Sequence, residues 1–558
     1  MSRWLLLLVV APLFVWRIDR PGFSDTEGMF AEPAREMVVS GDWITPTMNG
    51  EPFLVKPPLM YWLPAAVFSG VGPTEYARVV PLIAALATVA VTAALGTTLA
   101  GPSAGIAAGA VLATSFGFFV ESRMLRADMI LMLSVAASLW AYVHLRRAGG
   151  IRWALLFWTV LGIGMLDKGL LAVLLPGAVI AVAEIWEGLL RPRTLWARLR
   201  ALHFWAGVGI LAAVAVPWHV VAGARNPGFL WDYVVNQHLL FFFDEKLPRD
   251  SIPDALGFFW TMFVVRGLPW SLLLPAAVVH GWRTRSDGVA RLPLVWVCVV
   301  LVLFSLAAGR LEHYSLPALP ATALLVGRLL ADIGTERLRI APLWLGMPSV
   351  LAGLVALGAT AANAPALLGN VEPSLVGLRL DELVRPAMAT LGVGFSVIAA
   401  CAWGGRGQAL LAAGTVMAVV FLGFVQIAHE RVESLFSWRP FAHAIRDTMH
   451  PGVATFFRAS DEYQLCGGLD YYLERHVALL APPSWVAPTF LEQHTARLFT
   501  PATTLAHAWQ TGDAVFVSDD VDRPGDEAAL VPGPYVVMAR FGTRVLLRPL
   551  PSPGARYD

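Results

Sequence analysis

The chain of 558 residues has three cysteines, 15% charged residues and, among 41 basic residues, only three lysines. Each shortage excludes something. Cys298 and Cys401 fall in long apolar runs and Cys466 stands alone, so there is no disulfide framework and no paired CxxC metal motif. There is no P-loop, no glycine-rich dinucleotide fingerprint and no basic stripe with interleaved aromatics, and the formal net charge is +1. These absences argue against ATP hydrolysis and nucleic-acid binding. No internal repeat is visible, which counts against repeat-built transporters.

What the chain has in excess is apolar surface. At 57% hydrophobic with a mean hydropathy of +0.62, it exceeds what a soluble core of this length would use. About thirteen apolar runs are long enough, at roughly 17–25 residues, to cross a bilayer as helices. The run Trp4 to Ile18 reads as a retained anchor, because Arg17-Ile18-Asp19-Arg20-Pro21 follows it without a small-residue cleavage site. Other predicted spans include Gly101 to Val120, Ala127 to Leu145, Leu256 to His280 and Leu292 to Ala307, and the last ends near Ile427.

Arginine sets the expected orientation. With a cytoplasmic amino terminus, the inside loops carry Arg146-Arg147-Arg152, Arg191-Arg193-Arg198-Arg200, Arg283-Arg285-Arg291, Arg328-Arg337-Arg339 and Arg406. The loops rich in other polar residues then all lie outside. The expected division is a polytopic, all-α membrane domain over 1–428 and a small external α/β domain over 429–558, whose strands are Val453 to Phe457, Ala514 to Ser518, Tyr535 to Phe541 and Val545 to Leu547.

Carboxylates where a span meets water are costly, so Asp25, Glu27 and Glu32 after the first run invite a functional reading. The spacing from Glu27 to Val39 predicts an amphipathic helix on the membrane surface, with Asp25 or Thr26 as its N-cap and Gly41 ending it. A second such piece, Leu59 to Phe68, follows Lys56-Pro57-Pro58. All three lysines, Lys56, Lys168 and Lys246, fall in predicted external loops. Lysine suits phosphate as a compact point charge; for Lys246, beside Asp244 and Glu245, a surface ion pair is explanation enough.

The runs Asp25-Thr26-Glu27-Gly28-Met29-Phe30-Ala31-Glu32-Pro33, Ser40-Gly41-Asp42-Trp43, Lys56-Pro57-Pro58-Leu59-Met60-Tyr61-Trp62, Arg123-Met124-Leu125-Arg126-Ala127-Asp128, Asp167-Lys168-Gly169 and Tyr314-Ser315-Leu316-Pro317 resemble the lipid A aminoarabinose transferases. These belong to the integral-membrane GT-C glycosyltransferases, together with the protein O-mannosyltransferases. The resemblance implies about thirteen helices and transfer of a sugar from a polyprenyl phosphate of undecaprenyl type to a lipid A, other cell-envelope lipid or further acceptor. The reaction would take place at the outer face of the bacterial inner membrane.

By that resemblance Asp25 and Asp128 are the acidic residues of the active site, and Lys56, Lys168 and Tyr314 hold the lipid phosphate. The chemistry asks for such a set. Charge develops on the departing phosphate, and Arg126 and Arg310 add cations there; Glu27 is read as a further substrate contact. Asp25 would serve the acceptor side and Asp128 would orient, in an inverting displacement. Blander readings stand beside these: Asp128 as a helix cap, Tyr314 as an interfacial anchor.

The resemblance also reaches His238, which with Glu27 or Asp244 could bind a divalent metal ion. The chain departs from the family at Gly28, where an arginine is usual, and at Val55, where an acidic residue is usual. Those departures remove a cation near Asp25 and a carboxylate from any family-type metal site. The alternatives are a polyprenyl-lipid flippase or transporter, whose charges should lie in mid-span rather than at span ends on one side, a protein O-glycosyltransferase, and a structural envelope subunit.

Overall fold

The computed structural model describes residues 3–188, 192–248, 252–284, 291–338, 340–361, 373–459, 463–481, 485–521, 523 and 525–550. Arg191, Arg285 and Arg339 of the predicted inside loops lie outside the described residues. The first helices are α1 (Arg3–Val15), α2 (Asp25–Ser40), α3 (Leu59–Val71), α4 (Val79–Ala100), α5 (Pro102–Ala113) and α6 (Phe116–Glu121). Then come α7 (Asp128–Ala148), α8 (Ile151–Lys168), α9 (Leu171–Trp186), α10 (Pro192–Ala201), α11 (Phe204–Arg225) and the single turn α12 (Phe229–Trp231). The helical part continues through α13 (Leu256–Arg266), α14 (Leu274–Arg283), α15 (Leu292–Leu306), α16 (Leu319–Asp332), α17 (Pro342–Ala361), α18 (Asp381–Trp403) and α19 (Gly407–Arg431).

Seven helices among the described residues are long and apolar enough to cross a membrane, or eight if the pair Leu256–Arg266 and Trp270–Arg283 counts as one. The chain is thus a multi-pass membrane protein. Sequence runs and helices differ in number because the runs do not fold as single rods. The run Gly101 to Val120 breaks at Thr114-Ser115 into α5 and α6, and Leu256 to His280 bends by 102° around Gly267-Leu268-Pro269. Four apolar helices, Leu59–Val71, Pro102–Ala113, Leu171–Trp186 and Leu292–Leu306, are shorter than 18 residues; at 1.5 Å per residue such a helix falls short of about 30 Å of hydrocarbon.

Small residues let the central helices approach. A Cβ at Gly105 would lie 2.4 Å from the Ala93 carbonyl, and one at Gly327 2.5 Å from the Ala108 nitrogen, so α4, α5 and α16 pack backbone to backbone.

Helix α2 forms where the sequence places it, but its cap is Ser24 rather than Asp25 or Thr26: Ser24 accepts from the Glu27 N–H while Glu27 accepts from the Ser24 N–H. Gly41 closes it in the left-handed conformation at φ 74°. The helix does not lie bare on a membrane surface. Residues 27, 28 and 30–37 are buried, because α3 covers one side and α21 (Gly467–Leu473) the other. A Cβ on Gly28 would sit 2.5 Å from the Gly468 Cα. The arginine usual at this position in the resembled family has no room here.

The C-terminal part carries α20 (Arg439–Thr448), α21, α22 (Thr495–Leu498), α23 (Ala502–Thr511) and a five-stranded sheet. A two-residue pair, β1 (Thr47–Met48) and β2 (Glu51–Pro52), lies in the first loop. The sheet comprises β3 (Ala454–Arg458), β4 (Ala478–Leu479), β5 (Ala514–Ser518), β6 (Tyr535–Phe541) and β7 (Arg544–Pro549), in the order β4-β3-β5-β7-β6. Strands β4, β3 and β5 run parallel, and β7 is antiparallel to β5 and β6. On one face Val515, Val517 and Leu546 join the core that holds Phe23, Phe30 and Trp438; on the other Phe516, Val545 and Leu547 pack on α23. The sheet is therefore joined to the first loop by a shared core.

Candidate functional site

The loop before α7 is fixed from below. Arg123 donates to the carbonyls of Phe14 and Arg17 and to Gln426, while the Leu125 N–H donates to Glu27 at 2.9 Å. This leaves Arg126 and Asp128 directed into a cavity of about 360 Å³. Across it, α8 ends on Lys168, whose Nζ lies 2.5 Å from Asp128 Oδ1; Arg126 Nε stands 3.8 Å from Oδ2. Arg126 also reaches Glu121 at 3.6 Å.

Gly169 turns the chain away at φ 68°, and a Cβ there would meet the Tyr233 hydroxyl at 2.0 Å. Only glycine lets Tyr233 close on the end of α8.

Lys56 enters with Val55 and Pro57 from the loop ahead of α3. Lys246 enters from beyond a π-helix, Asp232–Leu240. Its segment is folded back by the Asn236 side chain, which accepts from the Leu247 N–H at 3.0 Å, and by the Glu245 N–H donating to the Leu240 carbonyl at 2.8 Å. Lys246 is buried at 8% exposure and stands 5.9 Å from the Phe241 ring centroid. The reading of Lys246 as a surface ion-pair residue fails on that burial. All three lysines of the chain line one cavity.

The remaining wall is aromatic and apolar. Tyr314, from a short 3-10 helix, Glu312–Ala318, packs against Phe304 at 5.1 Å and Phe241 at 6.1 Å, and Lys168 Nζ lies 5.7 Å from its ring. Met29, Phe30, Phe242 and Leu311 add to this side, and Gln464 of the C-terminal part also lines the cavity.

Of the residues expected from sequence, Asp128, Lys56, Lys168, Arg126, Tyr314 and His238 are brought together here. Three are not among the lining residues. Asp25 begins α2 one residue before Thr26, which does line the cavity, but its carboxylate is paired with Arg544 of β7. Burial pushes Asp25 up to about 7, against the pull of Arg544 and with a further push from Asp519. Glu27 is fully buried and accepts from Arg78 through both oxygens, at 2.7 and 2.8 Å, besides Ser24 and Leu125. Burial works against its ionisation, yet Arg78 and these N–H donors hold it below the usual carboxylate range. With both oxygens taken it is a brace, not a substrate contact. Arg310 donates to the carbonyls of Asp254 and Ser305, outside the cavity lining.

Sequence reasoning missed His313, Gln237, Tyr233 and Gln464 as lining residues. Tyr233 carried a signal in the glycine of Asp167-Lys168-Gly169; Gln464 carried none, since its approach depends on a fold-back over 400 residues away.

His238 presents a neutral ring. Nδ1 donates to the Tyr233 carbonyl at 2.5 Å, leaving Nε2 as an acceptor, and burial pushes its pKa down. Around it Val55 has no side-chain oxygen, Glu27 is spent on Arg78, and among the described residues no three His, Cys, Asp or Glu side chains are grouped to hold an ion.

Residues 5–234 match the family described as Dolichyl-phosphate-mannose-protein mannosyltransferase. An undecaprenyl phosphate-alpha-4-amino-4-deoxy-L-arabinose arabinosyl transferase of Pseudomonas aeruginosa PAO1 is 31% identical over 327 residues, 56% of each chain. The counterpart from Pectobacterium carotovorum is 26% identical over 75% of this chain and 68% of its own. The chain thus spans little more than half the length of the Pseudomonas relative.

Among solved structures, ArnT from Cupriavidus metallidurans bound to undecaprenyl phosphate superposes with a TM-score of 0.80 at 20% identity, over 99% of both chains. An oligosaccharyltransferase from Archaeoglobus fulgidus gives 0.51 at 12%, over 95% of this chain and 71% of that one. In sequence the chain is thus similar to the aminoarabinose transferases and, over residues 5–234, to the protein mannosyltransferases, and it shares the fold of the Cupriavidus protein.

Proposed function

We propose that the chain transfers a sugar from a polyprenyl phosphate to an acceptor at the outer face of the cytoplasmic membrane. The observation that carries this reading is the convergence of Lys56, Lys168, Lys246 and Arg126 on a cavity whose other wall is aromatic and apolar. Clustered cations beside an apolar wall suit an amphiphile with an anionic head. The undecaprenyl phosphate bound by the Cupriavidus protein of the same fold supports a prenyl phosphate as that amphiphile.

In the proposed step the bond from the anomeric carbon to the phosphate oxygen breaks, and its electron pair stays on the phosphate. The lysines and Arg126 stabilise that charge, and they act more strongly in a dry site than in water. An acceptor oxygen forms the new bond from the opposite face, with inversion. A hydroxyl acceptor gives its proton to a carboxylate, for which Asp25 is the acceptor-side group; a phosphate acceptor has none to give. Asp128, bound between Lys168 and Arg126, orients the cations. A divalent ion, if bound, would take His238 as one donor, and no step depends on it.

The sugar carried by the relatives makes an aminopentose the first donor to try, and a lipid A-like glycolipid the first acceptor. We read the chain as crossing the membrane about thirteen times with the amino terminus inside; the arginine clusters support the cavity and C-terminal part lying outside. Residues 429–558 are read as the external domain. A flippase is less well supported, because Asp128 begins α7 and Lys168 ends α8, at span ends and not in mid-span.

Purified protein, offered a panel of aminopentose and hexose polyprenyl phosphates with a radiolabelled sugar, should form a product with one donor class. A Lys56→Ala variant that remains folded should form little. Labelled lipid that changes leaflet with no product would overturn the reading in favour of transport.

A further inference from the structure

The contact between Asp25 and the C-terminal sheet deserves a role in the reaction. We propose that Arg544, on strand β7, is a positioning residue for Asp25, so that the sheet forms part of the reaction centre and does not only cover it. This rests on the reading of Asp25 as the acceptor-side carboxylate.

The geometry comes from several independent contacts. Within β7 the residues alternate: Val545 and Leu547 turn to the outer core and Leu546 to the core shared with the first loop, and Arg544 shares the face of Leu546. Arg544 is 5% exposed, its guanidinium lies 4.2 Å from the Trp438 ring centroid, and it pairs with Asp25. Trp438 is itself fully buried. A guanidinium stacked in this way has little freedom to swing away.

Asp25 is held from the other side as well. Its backbone N–H donates to the Phe436 carbonyl at 3.1 Å, and Ser24 bridges Ser437. The close passage of Gly28 over Gly468 seats the first turn of α2 directly on α21. The start of α2 is therefore located by residues 436–438, 468 and 544 together, and the adjacent Thr26 lines the donor cavity.

The charged groups facing the Asp25 carboxylate are Arg544 on β7 and Asp519 just beyond β5, with the Trp438 side chain beside them. Arg544 favours the ionised carboxylate, while burial and Asp519 oppose it. Removing the guanidinium therefore moves the carboxyl up, away from the state that accepts a proton. In transfer this appears as a shift of the acid limb of kcat/KM, which a change in fold stability alone would not move.

The test uses Arg544→Gln, Arg544→Lys and Asp25→Asn in the full chain, with two readouts. One is the pH dependence of kcat/KM for transfer. The other is the titration of the Asp25 carboxyl band by isotope-edited infrared difference between the wild type and Asp25→Asn, in each Arg544 background, which needs no turnover. Arg544→Gln should raise the acid limb and the infrared midpoint together by about one pH unit or more, and Arg544→Lys should bring both most of the way back to the wild-type values.

If no donor supports transfer, the functional reading fails and the infrared midpoint alone judges the positioning. An unchanged midpoint in Arg544→Gln overturns the inference, as does an unchanged acid limb where transfer is measurable. Loss of fold in Arg544→Gln passes the decision to Arg544→Lys, whose midpoint must lie between those of the wild type and an unpaired carboxyl; a lysine variant that folds and titrates where an unpaired carboxyl does would also overturn it.

Discussion

Asp128 and Lys168 join the start of α7 to the end of α8, the next helix, with Nζ 2.5 Å from Oδ1. This pair sets the polar floor of the cavity. Because each holds the other in place, their effects on turnover should not add. Lys168→Ala and Asp128→Asn should each lower kcat/KM by about 100-fold, and the double variant should fall little further than the worse single. Additive losses in initial-rate measurements would mean that the two act separately.

Lys246 is the cation that sequence reasoning undervalued. Its burial over Phe241 inside the cavity predicts that Lys246→Ala weakens donor use by about tenfold or more, comparable to the loss of a charge-assisted contact. The thermal midpoint should stay near that of the wild type. Steady-state kinetics against donor concentration, with thermal unfolding as a control, checks both parts.

Glu27 and Arg78 are buried together, and Arg78 also donates to the carbonyls of Ile18, Pro21 and Gly22. Removing one member leaves the other charge buried and unmatched, at a cost of about 3–5 kcal/mol. Glu27→Ala should therefore lower the unfolding midpoint in detergent. A Glu27→Ala protein with wild-type stability and failed donor binding would return Glu27 to the substrate.

Glu36 and His476 tie α2 to the C-terminal part at 3.0 Å. The hydrogen bond to Glu36 raises His476 above its ordinary value, and His476 and Thr47, opposing burial, hold Glu36 below its own. A raised histidine contributes stability fully below its unfolded pKa, near 6.5, and loses it as pH rises through the folded value. Docking of residues 467–477 on α2 should thus loosen as pH rises past the ordinary histidine range. Hydrogen exchange of α2 and α21 at pH 6 and pH 8.5 should show it, and His476→Ala should flatten the difference.

The local features were legible from sequence because they depend on neighbours. Gly41 ends α2 as its left-handed preference requires, and β5 and β6 fall on the predicted residues. The N-cap expectation, Asp25 or Thr26, misses by one or two residues because Ser24, Asp25 and Thr26 are all good caps, and only the reciprocal bond with Glu27 selects Ser24. What was not legible depends on distant chain. The cover over α2, the partner of Asp25 and the approach of Gln464 come from residues more than 400 positions away. Lys246 looked like a surface residue because its acidic neighbours suggested a local pair, whereas the fold-back through Asn236 buries it. The apolar runs marked membrane residence well but not the breaks within them, since a 102° bend at Gly267-Leu268-Pro269 leaves composition unchanged.

The most direct measurement places the protein in liposomes with its polyprenyl phosphate sugar donor, and follows glycosylated acceptor and lipid leaflet exchange in the same sample. Wild-type protein should form product, and folded Lys56→Ala, Lys168→Ala and Lys246→Ala variants should each form much less, with leaflet exchange equal in all four. Undiminished product in the three lysine variants would contradict the assignment of this cavity to the donor phosphate.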